Sequence, residues 1–133
     1  MILLDTHALV WVVTKDRKLG RKAQRVISKQ WDLNQVAVSA ISFWEVGMLR
    51  ARGRLQFDSS VGAWREELIA AGIIELPLDG HVCVRSLDLA ELSEDPADRF
   101  IVATALVHNA TLLTADEQLL RWKHSLPRID AQQ

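Results

Sequence analysis

Short apolar runs that alternate with helical patterns constrain the fold of this chain more than any other feature. Four runs, at residues 2–4, 36–38, 73–76 and 111–113, are short and largely apolar, and residues 128–129 fit a fifth. Such runs are typical of strands that are buried on both faces. Longer segments with apolar residues at helical spacing separate them. The sequence therefore predicts an α/β fold of three layers, α/β/α, with a short-stranded, mainly parallel central sheet.

Local signals place the helices between these strands. Asp95 and Pro96 form an N-cap followed by proline at the first helical position. Gly53 and Gly72 each follow a helical pattern, where glycine commonly ends a helix. The predicted helices cover residues 6–14, 20–31, 39–52, 60–71, 79–92 and 96–109, and a last short one follows Thr114 and runs to Trp122.

Length and composition exclude several classes of protein. A chain of 133 residues and 15.0 kDa, with 49% hydrophobic and 25% charged residues, is expected to form a single domain over residues 1–133. Cys83 is the only cysteine, so no intrachain disulfide can form and a reducing, cytoplasmic setting is expected. No apolar run is long enough for a membrane span, and the N-terminus lacks the basic region of a signal peptide.

Charge is distributed unevenly along the chain. The first 66 residues carry a net charge of +5 and the remaining 67 a net charge of −6, while the whole chain carries −1. Such basic stretches are usually solvated helix faces, but they also suit a polyanion or an acidic partner. The candidates for RNA or partner contacts are Arg17, Lys18, Arg21, Lys22, Arg25, Arg50 and Arg52.

Four acidic residues lie near strand ends or helix starts in four separate segments. Asp5 follows the first strand, Glu45 lies in the helix after the second, Asp98 lies in the first turn after Pro96, and Asp116 follows the fourth strand. In open α/β sheets, ligands bind beyond the carboxyl ends of the strands. The four carboxyl groups are therefore candidates for one shared site.

Each acid also has a simpler explanation as a helix cap. Asp5 can cap the helix that follows it, and Asp98 would occupy the third helical position, where the helix dipole favours an acid. Ser42 with Glu45, and Thr114 with Glu117, fit the spacing of capping boxes. Capping is the better explanation for any one of the acids alone, whereas their joint placement favours a site.

Converging carboxylates require a counter-charge. Two carboxylates about 4 Å apart repel by about 4 kcal/mol at an effective dielectric constant near 20. Oxygen ligands suit Mg²⁺ or Mn²⁺ rather than Zn²⁺, and the sequence contains no cluster of cysteine and histidine. Magnesium held by carboxylates commonly supports hydrolysis of phosphodiesters. The pattern therefore favours phosphodiester chemistry.

Four segments of the chain resemble PIN-domain ribonucleases, and their order and spacing resemble the VapC-like toxins of bacterial type II toxin–antitoxin systems. The segments are residues 3–11 (LLDTHALVW), 38–46 (VSAISFWEV), 95–105 (DPADRFIVATA) and 112–116 (LLTAD). The resemblance covers essentially the whole chain. The segment around Gly20 and its basic neighbours departs from it, which affects expectations about partners more than about chemistry.

The resemblance implies a Mg²⁺-dependent endoribonuclease, with Mn²⁺ as a substitute, that hydrolyses RNA. It implies that Asp5, Glu45, Asp98 and Asp116 are catalytic and bind the metal, with Asp5 and Asp98 as the principal ligands. Thr114 would support the last acid, and Thr6 is a second supporting residue. A cognate antitoxin, a homodimer and a cytoplasmic location are also implied, and no membrane association is expected.

Other functions remain alternatives. A signalling receiver would need a pair of acids after the first strand and a lysine after a late one, but Thr6 and His7 follow Asp5. A phosphatase with Asp5 as nucleophile would usually have an aspartate where His7 stands. A non-catalytic α/β binding or signalling module with an acidic cation pocket is the main competing hypothesis.

The sequence also leads to predictions for several further side chains. Arg99 is predicted to form a salt bridge, and His7 is a candidate for lining the site. Five tryptophans are many for this length; most are expected in the core, and one or two in a groove for a partner.

Overall fold

The computed structural model describes all 133 residues as five strands and seven helices. In chain order these are β1 (Ile2–Leu4), α1 (Thr6–Thr14), α2 (Arg21–Asp32), β2 (Val36–Ser39), α3 (Ile41–Ala51), α4 (Val61–Ala70), β3 (Ile74–Leu76), α5 (Gly80–Ser86), α6 (Pro96–Val107), β4 (Thr111–Thr114), α7 (Glu117–Arg121) and β5 (Arg128–Asp130). No helix is long and apolar enough to cross a membrane.

The five strands form one parallel sheet in the order β3-β2-β1-β4-β5. The central strand β1 pairs with β2 on one side and with β4 on the other, and Leu4 aligns with Val38 and with Leu113. The strand order therefore reverses beside β1. Side chains that follow β1 and β4 meet at this switch point, where α/β sheets bind ligands.

Alternation along the short strands divides the interior into two apolar cores. Ile2 and Leu4 face a core that also receives side chains from α1 to α4. Leu3, between them, faces a second core built with α5, α6 and α7. The sheet is thus buried on both faces by helices, and the predicted three-layer fold is confirmed.

Capping residues lie at several of the helix ends. Asp95 Oδ1 accepts from the N–H of Ala97 at 2.9 Å, and Pro96 is the first residue of α6. Ser60 Oγ accepts from the N–H of Ala63 at 3.1 Å at the start of α4. Gly72, with φ of +113°, follows the C-terminus of α4. Local sequence signals are therefore sufficient to predict these helix ends.

Both predicted capping boxes are wrong. Ser42 lies inside α3, which starts after Ala40 without a side-chain cap. Thr114 is the last residue of β4, and Asp116 caps α7 instead. In both places the sequence spacing of a capping box is present, but the hydroxyl group bonds across the fold to another segment, as described below.

The helix predicted over residues 79–92 ends early, at Ser86. The Arg99 guanidinium donates to the carbonyl oxygens of Ser86 at 2.8 Å, Leu89 at 3.1 Å and Ser93 at 3.3 Å. These bonds satisfy one carbonyl group at the end of α5 and two in the segment after it, so this segment need not remain helical. The predicted salt bridge of Arg99 is absent, because its donors serve these carbonyl groups.

Replacing Arg99 with methionine is expected to lower the free energy of unfolding by about 1–3 kcal/mol, because three carbonyl groups lose a charged donor. Urea unfolding measures this change, and hydrogen exchange should increase in residues 87–94. Arg121→Met is the control, since Arg121 makes only a surface ion pair with Glu117 at 3.6 Å and should change stability little. Equal effects of the two substitutions would contradict the role assigned to Arg99.

Candidate functional site

A cavity of about 350 Å³ opens at the switch point of the sheet. All four predicted acids line it, together with His7, which was a weaker candidate. Four separate segments thus meet at one place, as their positions after strands and at helix starts predicted. The lining residues are Asp5, Thr6, His7, Trp11, Glu45, Asp95, Asp98, Ile101, Ala115, Asp116 and Gln132. We call this cavity the acidic pocket.

Asp5 is the most deeply buried of the acids, at 6% exposure. Its Oδ1 accepts from the N–H of Ala8 at 2.8 Å and so caps α1, while its Oδ2 accepts from the buried hydroxyl of Thr114. The same Thr114 hydroxyl accepts from the N–H of Asp116 at 3.0 Å. Asp5 therefore has the predicted capping role and also lies in the pocket, and Thr114 links it to Asp116.

Glu45 projects from the second turn of α3 toward α1. The Thr6 hydroxyl donates to Glu45 Oε1 and also hydrogen-bonds with Ser42 Oγ, at 3.0 Å. Thr6 and Ser42 are both fully buried, and this pairing satisfies their hydroxyl groups. The predicted supporting residues Thr6 and Thr114 thus each contact one carboxylate of the pocket.

Asp98 is the third helical residue of α6, as predicted. The backbone N–H of Asp98 donates to Asp95 Oδ1 at 3.4 Å, and Asp95 is the cap of the helix. The carboxylate of Asp98 itself makes no hydrogen bond. Asp95 both caps α6 and lines the pocket, so these two roles are not exclusive. The half-buried Asp98 carboxylate therefore faces other carboxylates without a donor of its own.

Burial and mutual repulsion raise the pKa values of three of these acids. Loss of hydration is the largest cause for Asp5, Glu45 and Asp98. Hydrogen bonds from Thr114 and Thr6 partly offset it at Asp5 and Glu45. At Asp98 the charges of Asp95, Asp116, Glu45 and Asp5 add to burial and raise the pKa to about 7. The pocket is therefore a place of concentrated, poorly compensated negative charge.

This pKa shift predicts how stability depends on pH. The Asp98 pKa rises from 3.8 to about 7 on folding, so the folded state binds more protons between these values. The free energy of unfolding of the metal-free protein should therefore fall as pH rises from about 4 to about 7, and this contribution should be constant above that range. Thermal melting in EDTA across this range measures it. Asp98→Asn should make the dependence less steep, and an unchanged slope would contradict the shift.

The donor set fits a hard divalent cation. Carboxylate oxygens are the ligands preferred by Mg²⁺ and Mn²⁺. Burial and repulsion between carboxylates raise the Asp98 pKa, and a cation would relieve that repulsion. No group of three or more acidic, histidine or cysteine side chains stands together as a preformed metal cage. One carboxylate oxygen of Asp5 and one of Asp116 each accept from a backbone N–H as a helix cap. Because these oxygens are already engaged, a cation would need ligands in addition to these side chains.

The predicted basic contacts do not enter the acidic pocket. Arg17 lines a second cavity of about 590 Å³, formed between α1 and α2, whose walls include Trp11 and Trp31. Arg52 lines a third cavity, and the Arg50 guanidinium lies 4.5 Å from the centre of the Phe57 ring. The remaining candidates, Lys18, Arg21, Lys22 and Arg25, are exposed on or before α2.

The expectation that most tryptophans belong to the core is wrong. Only Trp64 and Trp122 are buried, whereas Trp44 is 59% exposed. Trp11 and Trp31 are half-buried at the cavity between α1 and α2. Trp11 also lines the acidic pocket, so the two cavities adjoin.

The sequence analysis missed one lining residue, Gln132, and assigned Asp95 only to capping. Gln132 follows β5 at the end of the described chain, and it reaches the pocket because β5 lies beside β4. No local motif marks it. The only available signal was its position after a predicted strand of a parallel sheet.

Solved structures with similar folds include toxin–antitoxin complexes. A chain of the VapBC2 complex from Rickettsia felis, bound to a promoter DNA fragment, matches with a TM-score of 0.71 at 17% identity, over 98% of both chains. A chain of DNA-bound VapBC from Salmonella typhimurium matches with a TM-score of 0.71 at 16% identity, also over 98% of both chains. The protein thus has the three-layer α/β/α fold found in chains of VapBC complexes.

Sequence similarity is consistent with this fold. The PIN domain family profile matches residues 2–124, and the chain belongs to this family. It is 31% identical over 127 residues to Ribonuclease VapC22 from Mycobacterium tuberculosis (strain ATCC 25618 / H37Rv), covering 95% of each protein. The PIN-domain resemblance of the four segments is therefore confirmed.

Proposed function

We propose that this protein is a divalent-cation-dependent endoribonuclease, built as a single domain over residues 1–133, and the toxin of a type II toxin–antitoxin system. The observation that carries the proposal is the acidic pocket, in which Asp5, Glu45, Asp98 and Asp116 converge from four segments. The similarity to a VapC ribonuclease supports RNA as the substrate. An RNA substrate and a single cysteine support action in the cytoplasm.

We assign Asp5, Glu45, Asp98 and Asp116 as the residues that would hold Mg²⁺, or Mn²⁺ in its place. When bound, such an ion would supply activation of water and neutralisation of charge on the phosphate. Thr114 and Thr6 fix the orientation of Asp5 and Glu45 through hydrogen bonds. Asp95 and Asp116 fix the ends of α6 and α7 at the pocket.

Purified protein is expected to cleave a susceptible single-stranded RNA oligonucleotide with Mg²⁺ or Mn²⁺ and to stop when EDTA removes the ion. The Asp5→Asn variant should not cleave RNA, because the buried side chain that would ligate the cation loses its negative charge. Cleavage that continues in EDTA and in Asp5→Asn would contradict the carboxylate mechanism. Magnesium binding without cleavage of any RNA would instead favour a non-catalytic binding module.

We propose a cognate antitoxin as the partner. The similar structures are toxin–antitoxin complexes, and the cavity between α1 and α2 offers apolar walls from Trp11 and Trp31 beside Lys15 and Arg17. A segment of the antitoxin would cover these apolar walls and the exposed basic residues of α2, and would approach the adjoining acidic pocket. Co-expression with the protein encoded beside this gene tests the proposal, and failure of the two to co-purify would count against it.

We also propose a homodimer. Val84 and Leu87, at α5 and just after it, are 64% and 78% exposed, an unusual exposure for two neighbouring apolar side chains. Light scattering at high protein concentration should give the mass of two chains. Val84→Glu combined with Leu87→Glu should shift the protein to a monomer, and a wild-type monomer would exclude the proposal.

A further inference from the structure

Residues 131–133 form a short strap that joins three elements of the fold. The N–H of Ala131 donates to the carbonyl oxygen of Thr114 at 2.8 Å. The N–H of Gly20 donates to the carbonyl oxygen of Ala131 at 2.8 Å, and the N–H of Lys22 donates to that of Gln133 at 2.7 Å. The strap is therefore fixed between the end of β4 and the first turn of α2.

Gly20 is required for this close approach. A β-carbon at Gly20 would lie 2.2 Å from the carbonyl carbon of Gln133, well inside van der Waals contact with backbone that has little freedom to move. Gly20 is also the N-cap of α2 and provides no side-chain cap. The strap carbonyl groups accept from N–H groups at the start of the helix that would otherwise lack partners.

The strap places Gln132 at the acidic pocket. Ala131 before it is fully buried, and the N–H of Gln132 donates to Asp130 Oδ1 at 2.8 Å. The backbone of Gln132 is held on one side by these contacts and on the other by the bond from Lys22 to Gln133. Gln132 itself is exposed and lines the pocket, and its side chain makes no hydrogen bond within the chain. The side-chain amide is free to contact a ligand in the pocket.

The negative charge of the acidic pocket makes an uncharged hydrogen-bond donor, such as this amide, suitable for binding a phosphate. Five of the lining residues are acids, and a phosphodiester would bring a further negative charge among them. Thr6, another lining donor, is already engaged by Glu45. The Gln132 amide has two N–H donors and carries no charge, so it can bind a phosphate oxygen without forming an ion pair with the neighbouring carboxylates.

We propose that Gln132 donates a side-chain N–H to a non-bridging phosphate oxygen of the RNA at the cleavage position. Gly20 is a positioning residue that acts through the strap. This inference rests on the proposed ribonuclease function, and it adds a substrate contact that none of the four acids can make.

Steady-state cleavage of a single-stranded RNA oligonucleotide by the full chain with Mg²⁺ tests the contact. Gln132→Ala is expected to lower kcat/KM about tenfold or more, the loss expected for one hydrogen bond to a charged group, with an unchanged melting temperature. Gln132→Glu should lower it further through repulsion. Gln133→Ala is the matched control, because Gln133 is exposed outside the pocket and contributes only its backbone.

Gly20→Ala tests the role of the strap. It should lower kcat/KM as Gln132→Ala does, and combining the two substitutions should give no further loss, because both remove the same contact. If Gly20→Ala does not fold, the Gln132 variants still decide the question.

Two results would overturn the inference while leaving the ribonuclease function intact. One is a Gln132→Ala enzyme that cleaves as well as Gln133→Ala. The other is a loss of activity at Gln132→Ala that is matched by a loss of thermal stability, which would give Gln132 a structural role. A wild-type protein that cleaves no RNA with Mg²⁺ or Mn²⁺ would instead overturn the proposed function and this inference with it.

Discussion

Replacing Asp98 with asparagine is expected to lower RNA cleavage by at least about 100-fold, because loss of a residue that merely supports a metal ligand already costs about 10–100-fold. The metal-free variant should be as stable as the wild type or more stable. Burial and the neighbouring carboxylates raise the Asp98 pKa to about 7, and the substitution removes the negative charge of Asp98 from this cluster. Magnesium should no longer raise the melting temperature, since stabilisation by a ligand requires binding. Cleavage assays and thermal melting with and without Mg²⁺ measure both effects.

Two neighbouring substitutions serve as controls for Asp98→Asn. Asp95→Asn keeps an oxygen that can accept from the N–H of Ala97, so α6 should stay capped and cleavage should largely persist. Glu94→Gln makes the same change of charge at an exposed position outside the pocket and should have no effect. If Asp98 only interacts with the helix dipole, its substitution would cost about 0.3–1 kcal/mol of stability and leave cleavage and the magnesium response unchanged.

Thr114→Val is expected to lower the free energy of unfolding by about 2–5 kcal/mol, because a buried carboxylate and a partly buried N–H lose their partner at once. Valine has nearly the shape of threonine, but it can neither donate to Asp5 nor accept from the N–H of Asp116. The Asp5 pKa should rise further, since the Thr114 hydrogen bond now lowers it. We also expect about 10–100-fold slower cleavage, as Asp5 loses its fixed orientation.

Urea unfolding and cleavage assays separate the two effects of Thr114→Val. Thr114→Ser keeps the hydroxyl group and should retain most of the cleavage activity. Thr111→Val, on the same strand, changes a half-buried threonine whose side chain makes no hydrogen bond in the structure, so it should have little effect. A Thr114→Val protein as stable and as active as Thr111→Val would contradict the link between Thr114 and the pocket.

Strands and helix starts were predictable because their signals are local. The apolar run at β1 and the Asp95–Pro96 start of α6 need no information from elsewhere in the chain. The end of α5 could not be predicted, because it depends on Arg99 donating to Ser86, 13 residues away. The capping boxes failed for the same reason, since Ser42 bonds instead to Thr6, 36 residues away.

The order of strands and helices, the two-sided burial of the sheet and the four acids at strand ends and helix starts could be predicted from the amino-acid sequence, because short-range periodicity and capping chemistry specify these features. Long-range packing sets how the acids are supported, since Thr114 reaches Asp5 across 109 residues and Thr6 reaches Glu45 across 39. It also decided that Gln132 enters the pocket. Such contacts depend on which strands become neighbours in the sheet, and pairing between distant segments arises from packing of the whole chain rather than from any local pattern.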